Sequence, residues 1–109
     1  MTLKRNYMSG KVKLAAVGDI MLGDTPLSYE FGVCSQAELK GYDYLFEHVK
    51  DIFQRNDLVV GNMESVVASP FPDERDDLWC RMNRGFDAGA SAMQTAGIEL
   101  VSLANNHIY

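Results

Sequence analysis

Three short stretches hold the residues of this chain that could do chemistry. They are "GDIMLGD" at 18–24, "GNMES" at 61–65 and "ANNH" at 104–107. Each follows an apolar run, so Asp19, Asn62, Glu64, Asn105, Asn106 and His107 all fall at or just after the ends of candidate strands. Carboxylates, amide carbonyls and imidazole are competent ligands for manganese, zinc or iron(II). No thiolate accompanies them, which argues against a structural zinc site. A glycine-rich phosphate loop is excluded. "GDIMLG" places an acid where a dinucleotide fingerprint needs its second glycine, and no GxxxxGK[ST] run exists. An acid at that strand end repels phosphate unless a cation bridges the two, so a phosphate-type substrate here would require metal.

The elements that must position these residues can be read from the pattern. "VKLAAV" (12–17), "DLVVGN" (57–62) and "IELVSLA" (98–104) are short apolar runs, expected to be buried strands. Between the first two, residues 23–40 read as mostly loop, and residues 41–55 carry a helical period. Tyr42, Leu45, Phe46, Val49, Ile52 and Phe53 fall on one face, with Glu47, Lys50, Asp51 and Gln54 outside. Residues 65–86, with Pro70, Pro72 and "DERDD", read as a long surface loop. A short helix capped by Asp87 and ended by Gly97 precedes the last strand. The order βαβαβ predicts an α/β fold with a parallel sheet. In open parallel sheets ligands bind outside the carboxyl ends of the strands, and there the six polar residues would converge on one rim.

Composition narrows the function classes. The 109 residues fit one small domain or part of a larger one, and the formal net charge of −5 argues against nucleic acid as a partner. No apolar run is long enough to span a membrane, and the start lacks a convincing signal peptide. Residues 1–11 read as a flexible lead, and residues 12–109 as the domain portion. These features make a cytoplasmic location the expectation for this chain. Cys34 and Cys80 lack CxxC spacing and read as two reduced thiols, a disulfide or a metal role being the alternatives.

"VGDIMLG", "DLVVGNMES" and "AGIELVSLANNHIY", in that order, resemble the bacterial capsule-synthesis CapA family, the poly-γ-glutamate biosynthesis proteins of the calcineurin-like metallophosphatase superfamily. The resemblance covers roughly residues 12 to 109. It implies a β-sandwich flanked by helices, of which this chain would hold an N-terminal βαβαβ portion. It also implies a metal-dependent hydrolase site with one or two divalent ions. Residue by residue, Asp19, Glu64 and Asn106 would be metal ligands, His107 the catalytic histidine at the scissile phosphate, and Asn62 and Asn105 supporting groups. Met21 stands where many metallophosphatases place a ligating histidine. Asp24 stands where many CapA-like proteins carry a basic residue, and it would add negative charge if it faced the cleft. The resemblance implies further histidine ligands later in the family's chain, so the site would be incomplete here and this fragment inactive by itself. An anionic polymer or a phosphate-type substrate is the expected partner. A cell-envelope location in a membrane-associated synthesis complex is the alternative to the cytoplasm. A non-catalytic component of a polymer synthesis or export complex, with a degraded metal site, is the alternative to a hydrolase.

The remaining features have plainer readings. His48 lies on the polar side of the predicted helix and is expected at the surface. Arg81 and Arg84 could hold an anionic polymer, although such arginines more often pair with neighbours such as Asp76 and Asp77. Trp79 is either a substrate platform or the packing contact of its loop. Met63, Met82 and Met93 read as core fillers.

Overall fold

A computed structural model describes residues 10–25, 27–28, 30–67, 84–85 and 87–107. The elements in chain order are β1 (Leu14–Ile20), α1 (Val33–Lys40), a 3-10 helix (Tyr42–Phe46), α2 (Lys50–Phe53), β2 (Leu58–Met63), β3 (Val66–Val67), β4 (Arg84–Gly85), α3 (Asp87–Ala96) and β5 (Leu100–Ser102). The fold is α/β: β1, β2 and β5 form a parallel sheet in the order β1-β2-β5, flanked by helices, as expected for an N-terminal βαβαβ portion. A separate parallel pair, β3 with β4, ties together the two ends of the stretch read as one long loop.

Strand alternation divides the sheet into two faces. Val59, at the centre of β2, is 1% exposed, and Ala15, Val17, Met63 and Val101 lie on or against the same core. The helical layer covers this face with Phe46, Phe53, Ala92, Met93 and Ala96, and Ile98, just before β5, belongs to the same core. The opposite face carries Leu14 and Leu100, 58% and 56% exposed. Met63 and Met93 are core residues, as their types suggested, whereas Met82 lies outside the described residues.

Three local expectations need correction. Residues 33–40 are helix, not loop. The signal was weak because Gly32, at the N-cap position, has no side chain to cap with, and Leu39 points to solvent at 77% exposure. The anticipated helix over 41–55 is broken. Backbone amides reach back three residues, from Tyr44 to Gly41 and from Val49 to Phe46, before one α-turn forms at Lys50–Phe53. Tyr42 and Phe46 of the 3-10 helix are buried, as is Phe53 of the α-turn, whereas Ile52 beside it is 58% exposed. Finally, β1 does not end at Val17 but continues through Gly18 and Asp19 to Ile20.

The third helix runs as expected. Gly97 follows it at φ 106° and donates its N–H back to Met93, the left-handed terminus that glycine adopts without penalty. Gly89, a poor helix former, is required by packing. A methyl group there would come within 2.7 Å of Leu22 Cδ1 and 3.1 Å of the Tyr42 ring.

Candidate metal centre at the strand ends

The rim begins with an irregularity in β1. Ala16 pairs with Val60, but the next pair is Asp19 with Asn62, so β1 spends three residues where β2 spends two. Paired residues of neighbouring strands share a face. Had the pairing run on regularly from Ala16, Asp19 would align with Met63 and face the helical core; with the shift, Asp19 lies beside Asn62 and is exposed. The sequence signal was Gly18, since glycine inside a strand often marks a bulge.

Two contacts then staple the strand ends together. The Glu64 N–H donates to the Ile20 carbonyl at 3.0 Å. The Leu22 N–H donates to Ser65 Oγ, also at 3.0 Å, in a fully buried position. Glu64 is thereby fixed just beyond β2, half-buried at the rim.

The side-chain network on this frame has a fixed polarity. Asn105 donates from Nδ2 to the Met63 carbonyl at 2.7 Å and accepts at Oδ1 from the His107 backbone N–H at 2.9 Å. Those two backbone groups leave its amide only one orientation. Asn105 Nδ2 also donates to Asn62 Oδ1 at 3.0 Å, which in turn orients Asn62. The Asn62 NH2 group therefore faces the acids, donating to Asp19 Oδ1 at 2.9 Å and to Glu64 Oε1 at 2.5 Å. His107 Nε2 lies 3.4 Å from the other Glu64 oxygen, Oε2. One chain of hydrogen bonds thus runs from the backbone of β2 and the last loop to both carboxylates.

The structure brings Asp19, Asn62, Glu64, Asn105 and His107 together. Asn106, the neighbouring amide, is exposed and makes no side-chain hydrogen bond among the described residues. His48 is at the surface, 3.1 Å from Glu47, as its helical position suggested. Arg81 and Trp79 lie outside the described residues, and of Arg84 only the backbone pairing with Val66 is described. Met21 lines an apolar cleft of about 330 Å³ between β1 and the helical layer, with Leu45, Phe46, Val49 and Phe53, and Asp19 is the one charged residue in its lining. Cys34 is a buried thiol 3.7 Å from the Tyr42 hydroxyl, while Cys80 lies outside the described residues.

Asp24 is not a cleft residue. It is 5% exposed and accepts hydrogen bonds from the Ser35 N–H at 3.2 Å and from the Ser35 hydroxyl. Ser35 is in the first turn of α1, so Asp24 supplies from eleven residues away the cap that Gly32 cannot. The sequence pattern offered no signal for this role, because the partner is not local.

Two carboxylates, a carboxamide and an imidazole make a donor set suited in chemistry to a borderline divalent cation. As arranged, the Asn62 amide holds the acids, and no group of three or more His, Cys, Asp or Glu among the described residues is disposed to grip an ion. No helix among the described residues is long and apolar enough to cross a membrane. No curated protein and no solved structure matches the chain. A family model described as the bacterial capsule synthesis protein PGA_cap matches residues 13–109. The chain therefore belongs to the bacterial capsule synthesis protein family.

Proposed function

We propose that this chain carries residues of a metal-dependent hydrolase site of the metallophosphatase type that acts in capsule or poly-γ-glutamate biosynthesis. The observation that supports the reading best is the convergence of Asp19, Asn62, Glu64 and His107 through one hydrogen-bonded network at the carboxyl ends of a parallel sheet. A bound divalent ion would supply Lewis acidity and an activated water there. Asp19 and Glu64 would hold it, with Asn106 contributing an amide oxygen from the exposed loop. His107 would donate a proton to, or stabilise charge on, the leaving oxygen. The substrate class is an anionic polymer or a phosphate ester, reached through the cation, because the bare rim is acidic. Manganese titrated into the chain by calorimetry is expected to bind saturably. Asp19→Ala and Glu64→Ala should each abolish that binding, and unchanged binding in both variants would remove the metal assignment.

A second reading is favoured by one observation: the Asn62 NH2 group donates to an oxygen of each carboxylate. On that reading the protein is a non-catalytic component of a polymer synthesis or export complex, working in the cytoplasm or at the cell envelope. Hydrolysis of a generic phosphodiester that vanishes with chelator and with His107→Ala would decide against it.

A further inference from the structure

β1 lies at one end of the sheet order β1-β2-β5, so among the described residues only β2 pairs with it. The other side of its main chain carries N–H and C=O groups that a further strand would satisfy. Folded proteins guard such edges with short strands, charges, proline or bulges. The opposite edge is short, since β5 has three residues. β1 has seven, and Leu14, Ala15, Ala16 and Val17 carry neither charge nor proline. Its irregularity comes after Ala16 and leaves the first half of the strand regular. The apolar cleft of about 330 Å³ lies alongside this strand. Val17 and Ile20 of β1 stand on one wall, Leu45, Phe46, Val49 and Phe53 on the other, and no residue of β2 lines it. Its volume is at the lower end of the range for small-ligand sites, roughly 300–1,000 Å³, and is ample for a bulky side chain. Asp19, exposed, is the one charged residue in its lining. We propose that an extended peptide of a partner protein adds to β1 as a new edge strand, seats a bulky apolar side chain in this cleft and brings a basic residue to Asp19. Each part of that chemistry has its own source. The open main chain selects an extended backbone over a compact ligand. The cleft selects the apolar side chain, because alternate residues of an added strand face the helical layer. Asp19 and the net charge of −5 select the basic residue. In strand addition main-chain hydrogen bonds give affinity and pockets for alternate side chains give specificity. The proposal goes beyond the metal-site reading and uses no cation at the rim.

The test is fluorescence anisotropy on the whole chain, in chelator, with a labelled peptide of about eight residues that alternates valine and lysine around one central phenylalanine. Saturable binding is expected, with slowed amide exchange at Leu14–Val17 and none at β5. The same peptide N-methylated at alternate amides should bind at least about tenfold more weakly, because it loses several main-chain hydrogen bonds. Peptides with alanine for the phenylalanine, or glutamate for the lysines, should weaken by a similar factor. Val49→Trp and Leu45→Trp, which fill the cleft from the helical side, should do the same in protein whose thermal midpoint shows it folded. The peptide series leaves the protein unaltered, so the outcome does not depend on either variant folding. No saturable binding, equal binding of the N-methylated peptide, or protection at β5 instead of β1 would overturn the proposal. Self-association of the chain that Val49→Trp abolishes would also overturn it, by giving the edge to a second copy.

Discussion

Asp19 and Asp24 are five residues apart on one segment and have opposite roles. Asp19 is exposed at the rim of the sheet, one oxygen taken by a neutral amide. Asp24 is 5% exposed and is committed to the first turn of α1 through the Ser35 amide and hydroxyl. A buried carboxylate is tolerated only where donors satisfy it, and an exposed one is available for a ligand because its donors can be exchanged. The difference teaches that acidity by itself marks no site. Asp24 is spoken for by its fold, while Asp19 is held by a single side-chain amide at the exposed rim.

An aspartate set as deep as Asp24 but without its donors should give the largest effect. Met63→Asp places a carboxylate on the core face, one position along β2 from Asn62, where Met63 is 3% exposed. The expected loss is about 3–5 kcal/mol, that of an unpaired buried charge, read as a lowered urea midpoint. A variant as stable as the parent would show that depth without donors is not what separates the two aspartates.

Next comes Asp24→Ala, which leaves the half-buried Ser35 amide and hydroxyl without that acceptor and α1 without a cap. A loss of about 2–3 kcal/mol is expected, with helical signal lost from α1 and no change in cation affinity at the rim. A variant that instead lost cation binding while keeping its stability would place Asp24 at the site after all.

The smallest effect on stability belongs to Asp19→Asn, which keeps the oxygen that Asn62 donates to and relieves repulsion toward Glu64. The thermal midpoint should stay within about 3 °C of the parent, as for other surface changes. Divalent-cation binding should fall at least tenfold in the same protein. If the midpoint fell as far as in Asp24→Ala, the contrast between the two aspartates would collapse.

Much of the frame was legible because apolar runs of four to six residues ending in polar groups are a local signal. "VKLAAV", "DLVVGN" and "IELVSLA" each overlap an observed strand, and the helix at 87–96 followed its Asp87 start and Gly97 stop. What failed was non-local. The α1 helix is capped from residue 24, and the break of the expected helix into a 3-10 helix and an α-turn leaves Ile52 exposed against its periodicity. At the site, Asp19, Glu64 and His107 were singled out by type and place, but the division of labour between adjacent amides was not visible. Asn105 and Asn106 are the same residue type one position apart. Which of them enters the network is decided by the Met63 carbonyl and the His107 N–H.

By itself, then, the sequence determined the α/β order, the identity of the polar groups at each strand end, and membership of the capsule synthesis family across residues 13–109. Those are properties of local pattern and spacing. Tertiary structure alone decided that β2 lies between β1 and β5, that a register shift in β1 pairs Asp19 with Asn62 rather than Met63, and that Asp24 is consumed in capping. It also placed the Asn62 amide between two acids. The reason is physical: hydrogen bonds and register join residues some forty positions apart, and no local propensity records which donor will meet which acceptor.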